Sequence, residues 1–282
     1  MRKCFTLALL FLVMAGGCSV FKSSNLPQQP STGNQTPAGT RTPTYSPTRN
    51  PIVFVWGEVL MGIRNLTLSL KTPDYFLVEN SQKRGGEFDP NSFFTVLGLL
   101  SMEPGYALDY VYVYENATGL PYLYARPPEQ ASYRSISELT KATGLPAADT
   151  RYNYLAHVQV TDTEEGFFQF VVLYVMADQF YQYSSTHYND TRLVLDTNNV
   201  TSALNTVADF GIKVPGFIKN QALSINLTPV LKMGLDIVTV RLVTFTMWGG
   251  FFESIYTIQR NSPHKISVES TILVPYNIDI QY

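Results

Sequence analysis

Reactive side chains are scarce in this sequence. Its 282 residues include two cysteines and three histidines. Cys4 and Cys18 both lie close to the amino terminus, so the rest of the chain can form no disulfide of its own, no zinc–thiolate site and no cysteine nucleophile. A three-histidine metal site would require His157, His187 and His264 to converge. We therefore expect neither a metal nor a cofactor.

Charge is also sparse, and its two signs are balanced. Lys and Arg together number 20 and Asp and Glu 22, and the formal net charge is -2. A chain without a basic excess lacks the electrostatic footprint of a nucleic-acid-binding protein. The sequence contains no phosphate loop, no dinucleotide glycine fingerprint, no Gly-x-Ser-x-Gly elbow, no His-Glu-x-x-His helix and no calcium loop. The carboxylates are scattered, and no catalytic residue can be named from the sequence.

The amino-terminal residues have the pattern of an export signal. Arg2 and Lys3 are followed by the apolar run Phe5–Met14 and then by Ala15-Gly16-Gly17-Cys18. The run is too short to span a bilayer, which takes about 20 apolar residues, but it has the length of a signal-peptide core. Small residues directly before a cysteine resemble the signal of bacterial lipoproteins.

This resemblance implies that residues 1–17 are removed and that Cys18 carries acyl chains such as palmitate. The protein would then be exported and anchored to the outer face of a cell membrane. The alternative is an ordinary secretory signal that ends near an unmodified Cys18. Residues 18–50 are rich in Pro, Thr, Ser and Asn, and we expect a disordered stalk because such a segment buries little apolar surface. Residues 51–282 would form a single folded envelope domain.

The domain is expected to be built on antiparallel strands. Alternating or apolar runs predict strands at Arg64–Lys71, Tyr106–Tyr114, Pro121–Arg126, Tyr152–Thr161, Phe167–Met176, Ala222–Leu227, Ile237–Trp248, Phe251–Gln259 and Ile266–Val274. Turn signals between neighbouring runs predict two hairpins and a three-stranded carboxyl-terminal meander that turns at Gly249-Gly250. One parity of the last strand is polar, which predicts a solvated face.

Short helices complete the expected fold. Ser135 and Glu138 have capping-box spacing ahead of a helix over Ile136–Thr143. Apolar residues at helical spacing predict another helix over Val200–Ala208, and Asp89-Pro90 is typical of a helix start. The fold class predicted is therefore α+β or mainly β, an antiparallel sheet of meanders and hairpins with two or three short helices.

Tyrosine is the most distinctive residue type of the predicted hairpin. Tyr110 and Tyr112 share one face of the first strand, and Tyr122 and Tyr124 share one face of the second. These four rings are the candidate ligand platform, because a Tyr ring offers an apolar face and a polar tip to sugars and other amphipathic ligands. The alternative is that the rings are core. Whether the two pairs share one face depends on the turn register.

The histidines are assigned individually. His264 follows Pro263 in a predicted turn, which favours a solvated position. His157 shares the polar face of a predicted strand with Asn153 and Gln159. His187 lies in a Tyr-rich polar stretch, where exposed and functional positions are equally compatible with the pattern.

The function predicted is that of a membrane-tethered, non-catalytic envelope lipoprotein that binds a protein partner, a glycan or a hydrophobic ligand. An envelope hydrolase acting on glycan or peptide is the first alternative. A carrier that holds lipid-like ligands in an apolar cavity is the second. Two close carboxylates in a cleft, or a serine near His157 or His187, would favour the hydrolase.

Overall fold

The chain alternates short helices with antiparallel strands. The computed structural model describes residues 56–146, 153–184 and 191–275, all of which belong to one unit, residues 50–282. The α-helices are α1 (Trp56–Thr67), α2 (Phe93–Val96), α3 (Ile136–Thr143), α4 (Glu164–Met176), α5 (Thr197–Asp209) and α6 (Gly216–Leu223). The strands are β1 (Leu100–Met102), β2 (Ala107–Glu115), β3 (Thr118–Arg126), β4 (Val158–Val160), β5 (Tyr183–Ser184), β6 (Arg192–Val194), β7 (Val230–Met233), β8 (Ile237–Thr246), β9 (Gly250–Gln259) and β10 (Ile266–Val274).

The carboxyl-terminal three-stranded meander is present, as the sequence predicts, and it is part of the large, five-stranded sheet. β10 pairs with β9, and β9 pairs with β8. On its other side, β8 pairs with two strands, with β7 along its first half and with β6 along its second half. Gly250 has a φ of 89° at the turn between β8 and β9, a conformation that glycine adopts without strain.

The predicted tyrosine hairpin is also present. β2 and β3 pair along their whole length around the residues Asn116 and Ala117. Both turn residues have positive φ angles, 51° and 57°, and this pair of angles is what a two-residue type I′ turn requires. The same three-stranded sheet includes β5, which pairs with the start of β3.

Helix α4 is the centre of the core, and here the strand prediction for Phe167–Met176 is wrong. The helix contacts α1, the β1–β4 pair and the large sheet. Nine of its residues are buried, so it is apolar on every side and its sequence carries no amphipathic period. The Thr163 hydroxyl accepts a hydrogen bond from the Gly166 backbone N–H at 3.1 Å and thereby caps the first turn. The expected strand Tyr152–Thr161 is a 3-10 helix, Asn153–His157, followed by β4.

Two further strand predictions are wrong. In the expected strand Arg64–Lys71, residues 64–67 are the last turn of helix α1, whose Val59, Leu60 and Ile63 recur at helical spacing and are buried together. Residues 68–71 follow the helix as irregular chain. The alternating Leu68 that suggested a strand is 80% exposed. The segment Ala222–Leu227 begins as the end of α6 and continues as irregular chain.

The helix predictions at α3 and α5 are confirmed. The Ser135 hydroxyl accepts a hydrogen bond from the Glu138 N–H, and Gly144 ends α3 with a φ of 68°. Asp89 accepts a hydrogen bond from the Asn91 N–H and begins the short helical segment before α2. The fold is α+β with antiparallel sheets.

The apolar core lies on both faces of the large sheet. On one face, Val238, Val240 and Leu242 belong to the same apolar cluster as α4 and the inner residues of β2. On the other face, α5 and α6 cover Val243 and Phe245. In the described parts of the chain, no helix is both long and apolar enough to cross a membrane.

Candidate ligand-binding cleft

The hairpin tyrosines are core residues rather than an exposed platform. The register pairs Tyr110 with Leu123 and Val111 with Tyr122, so the Tyr110–Tyr112 face is opposite to the Tyr122–Tyr124 face. Tyr110 and Tyr112 are each 1% exposed, and Tyr124 is 4% exposed. Burial raises the pKa of all three hydroxyls. Tyr122 is half-buried, and the four rings therefore cannot meet one ligand together.

Residues 81–91 cross the free edge of β2 and make one wall of a cleft. The Asn91 side chain acts like a neighbouring strand, because its Nδ2 donates to the Leu108 carbonyl and its Oδ1 accepts from the Leu108 N–H, at 2.8 and 2.9 Å. The Ser81 hydroxyl donates to the Tyr112 carbonyl farther along the strand. The segment is thereby fixed against the sheet, and it places Lys83 beside Asp109.

Asp109 is the most deeply buried charge in this region, at 6% exposure. It forms ion pairs with Lys83 and with Arg126, whose Nε lies 2.7 Å from Oδ2. The Ser132 hydroxyl also donates to Asp109. Burial alone would raise the pKa of Asp109, but the charge of Lys83 and the hydrogen bonds from Lys83, Ser132 and Arg126 lower it below its ordinary value. The carboxylate therefore holds two cations in fixed positions.

A glycine turn shapes the mouth of the cleft. Gly85 and Gly86 have φ angles of 89° and 91°, and the turn wraps around the Glu87 carboxylate. This carboxylate accepts hydrogen bonds from the Arg84 and Gly85 N–H groups, at 2.6 and 2.8 Å, and from the Tyr75 hydroxyl at 2.8 Å. These contacts outweigh desolvation and lower the pKa of Glu87. Burial and the Glu87 contact raise the pKa of Tyr75 to about 12.

The cleft encloses a cavity of about 480 Å³. Its charged lining residues are Lys83, Arg84, Arg126 and Arg134 and the acids Glu87, Asp89 and Asp109. All three carboxylates accept hydrogen bonds from the protein itself. Arg84 and Arg134 are exposed, and neither forms an ion pair with any residue in the described segments. The mouth of the cleft therefore offers two guanidinium groups to a ligand.

One buried polar atom in the cleft wall has no hydrogen-bond partner among the residues that the structure describes. The Tyr110 hydroxyl makes no hydrogen bond to a described residue, while the Lys83 Nζ lies 4.6 Å from the centre of the Tyr110 ring. An unsatisfied buried hydroxyl costs about 1–3 kcal/mol. Such a cost is commonly retained where a site has a ligand or an ordered water to satisfy it.

Two of the three histidines lie in the described residues, and each contacts other side chains. The His157 Nδ1 lies 3.1 Å from the Glu103 carboxylate, and its ring stacks on Tyr106 at 3.9 Å. The prediction for His264 is wrong, because it is 7% exposed and packs edge-on against Phe167 and Phe170. His187 lies outside the described residues. No group of three or more His, Cys, Asp or Glu residues that could hold a metal was found among those that are described.

A second cavity lies between α1 and α5. It measures about 580 Å³ and is lined by apolar residues such as Met61 and Leu193 together with Arg64, Arg192 and Asp196. The lining mixes polar and apolar side chains, so it differs from the closed apolar chamber expected of a lipid carrier.

Sequence reasoning missed the cleft residues, although one signal was present. Asp109 is the single charged residue within the otherwise apolar and aromatic run Ala107–Tyr114, and a charge in a buried strand requires a partner. The identity of those partners depends on contacts at long sequence separation. Comparison of this chain with protein-family models, with curated proteins and with solved structures finds no match, so its function has to be inferred from the geometry of the cleft.

Proposed function

We propose that this protein is a membrane-tethered, non-catalytic binding module of the cell envelope, and that its cleft receives an anionic group of the ligand. The observation that carries the proposal is the pair Arg84 and Arg134. Both guanidinium groups stand at the mouth of a cavity whose own carboxylates already have partners in the protein. A carboxylate or phosphate of a ligand would satisfy them.

The cleft is pre-organised for this task. Asp109 holds Lys83 and Arg126, so these long side chains have already lost rotamer freedom before a ligand arrives. Arg84 is held over the ring of Tyr75, with its guanidinium carbon 4.1 Å from the ring centre. Arginine suits the role, because its planar fork matches a carboxylate or phosphate with two parallel hydrogen bonds. Pre-organised donors raise affinity by reducing the entropy lost on binding.

The same carboxylates argue against hydrolysis in this cleft. A glycosidase requires one carboxyl group with a raised pKa that donates a proton to the leaving group. The pKa values of Asp109 and Glu87 are both lowered, so both stay ionised and are weak bases at neutral pH. The Ser132 hydroxyl donates to Asp109, but no histidine lines this cavity. Binding is therefore the function that the geometry favours.

The tether is proposed on sequence grounds. Cys18 and the stalk at 18–50 lie outside the described residues, and the support for them is the short apolar run and the Ala15-Gly16-Gly17-Cys18 pattern. More than one acyl chain on a cysteine gives stable membrane anchoring, whereas a single chain gives marginal binding. The lipid would hold the binding domain at the outer face of the membrane, within reach of an envelope protein or glycan.

The anion site is tested by calorimetric titration of the full processed protein in detergent with citrate and with inorganic phosphate. We expect the double variant Arg84→Gln/Arg134→Gln to bind at least about tenfold more weakly, because hydrogen bonds to charged groups each contribute about 1.5–3 kcal/mol. The matched control is Lys213→Gln/Lys219→Gln, which removes two exposed charges from the α6 region. Equal weakening in both double variants would show a nonspecific charge effect and refute the cleft.

A further inference from the structure

The segment 126–134 separates the cleft from a second, chemically different pocket. One side of the segment contributes Arg126, Ser132 and Arg134 to the cleft. The other side contributes Gln130 and Tyr133 to a cavity of about 310 Å³. The two cavities share no lining residue. The pocket is therefore a separate site that lies next to the cleft along the chain.

Aromatic and amide groups line this second pocket. Tyr124 and Tyr133 form an aromatic corner, with ring centres 5.2 Å apart and an angle of 46° between the rings. The corner is rigid, because the Tyr133 backbone N–H donates to the Tyr124 hydroxyl at 2.9 Å and the Gln130 amide donates to the Tyr133 hydroxyl at 2.6 Å. Asn153 and His157 also line this pocket.

The pocket differs from the cleft in charge. It has no Asp, Glu, Lys or Arg in its lining, and His157 is its one titratable group besides the tyrosines. The His157 Nδ1 faces Glu103, so Nε2 is the ring nitrogen left for a ligand. The Gln130 amide nitrogen is committed to Tyr133, which leaves its carbonyl oxygen as an acceptor for a ligand hydroxyl.

This combination matches one class of ligand. A sugar ring presents an apolar C–H face, which packs on an aromatic ring, and a rim of hydroxyl groups, which hydrogen-bond to amide and imidazole groups. A volume of about 310 Å³ is at the small end of ligand pockets and suits a single ring. A lipid tail would leave the amides unsatisfied.

We propose that the Tyr124–Tyr133 pocket is a subsite for a neutral sugar ring. Together with the cationic cleft on the other side of segment 126–134, it makes an acidic glycan the ligand class of this protein. The acidic part of this assignment rests on the proposed function, whereas the sugar subsite rests on the pocket alone.

The test measures binding of neutral and acidic saccharides to the full processed protein by ligand-observed NMR and calorimetry. The neutral probes are cellobiose, maltose and diacetylchitobiose, and the acidic probes are trigalacturonate and glucose 6-phosphate, which distinguish carboxylate from phosphate. We expect at least one neutral probe to bind, and we expect Tyr133→Ala to weaken it about tenfold or more. Tyr133→Phe keeps the ring and should stay within about threefold of the wild type.

Controls separate the subsite from the cleft and from folding. Tyr183→Ala removes an exposed ring from β5, which belongs to the same sheet as Tyr124, and should leave saccharide binding unchanged. Arg84→Gln/Arg134→Gln should leave the neutral probes unchanged and weaken the acidic ones. Gln130→Ala provides a second variant with an intact ring if Tyr133→Ala lowers the melting temperature, and it should also weaken the neutral probe.

Three results would overturn the proposal. The first is that none of the three neutral probes binds at millimolar concentration. The second is that a neutral probe binds but is unaffected by both Tyr133→Ala and Gln130→Ala. The third is that an uncharged pentapeptide binds with the same Tyr133 dependence, while the saccharides do not. If the neutral probes bind as expected and the acidic ones are unaffected by Arg84→Gln/Arg134→Gln, the subsite stands and the anion site fails.

Discussion

The ion cluster at Asp109 gives the sharpest prediction about stability. Replacing Asp109 with Asn keeps the shape of the side chain but leaves Lys83 and Arg126 without their counter-charge. The Lys83 and Arg126 side chains are 11% and 19% exposed, so both cations are poorly compensated by water. Breaking a buried ion pair by removing one partner costs about 3–5 kcal/mol. Because water reaches part of both cations, we expect a loss of about 3 kcal/mol.

The assay is urea denaturation followed by circular dichroism. Asp109→Asn should lower the midpoint and leave the slope unchanged, since the variant exposes the same surface on unfolding. Asp209→Asn, at the exposed end of α5, is the matched control and should stay within about 0.5 kcal/mol of the wild type. The double variant Lys83→Met/Asp109→Asn should be at least about 1 kcal/mol more stable than the sum of the two single effects predicts. A loss below about 1 kcal/mol for Asp109→Asn would refute the argument that this carboxylate anchors the cleft.

The pH dependence of the same cluster follows from the direction of the pKa shift. The pKa of Asp109 is lowered in the folded state, so the unfolded state binds its proton first as pH falls. The stabilisation is therefore complete above the unfolded pKa of about 3.9 and is lost as pH falls through the folded value. The difference in unfolding free energy between wild type and Asp109→Asn should be constant from pH 7 to about pH 5. It should narrow below about pH 4, and a difference that widens there would contradict the assignment.

Three shorter predictions concern single residues. Cys18→Ser should release the protein from the membrane fraction or stall its processing, and normal processing with full membrane retention would exclude the lipid anchor. Tyr112→Phe should cost about 1 kcal/mol in urea denaturation because it removes the hydrogen bond to the Tyr181 carbonyl. Tyr110→Phe should instead leave the unfolding free energy unchanged or raise it, because its buried hydroxyl has no described partner. Ala117→Gly should raise the melting temperature, because Ala117 has a φ of 57°, and an unchanged or lower value would contradict the turn assignment.

Local sequence patterns correctly predict several elements that have a clear turn or helix cap. The Asn116–Ala117 hairpin, the capped helix after Ser135 and the meander through Gly250 depend on neighbours in sequence. Helix α4 does not follow from local patterns. Nine of its thirteen residues are buried, so its apolar residues show neither a helical nor a strand period. A short apolar run is equally consistent with a buried strand, and the Thr163 cap was the remaining signal.

The prediction of an exposed tyrosine platform is wrong for a related reason. The strand pattern correctly places Tyr110 and Tyr112 on one face of the sheet, but it does not indicate which face other segments cover. Phe76, which stacks on Tyr112 with ring centres 4.3 Å apart, belongs to a 3-10 helix more than thirty positions earlier. Coverage by distant segments is decided by tertiary packing, and no local pattern records it.

The cleft lies where an irregular segment protects the edge of a sheet. An unpaired β2 would present free N–H and C=O groups that attract other strands. Residues 81–91 cover this edge with side chains rather than with a strand, through Ser81 and Asn91. A paired strand would contact β2 along its whole length. A segment that is hydrogen-bonded at only two points leaves space between those points. Lys83, the glycine turn and Asp109 line the space between the Ser81 and Asn91 contacts. The irregular segment that blocks strand pairing at this edge therefore also creates the cavity in which we place the anionic ligand.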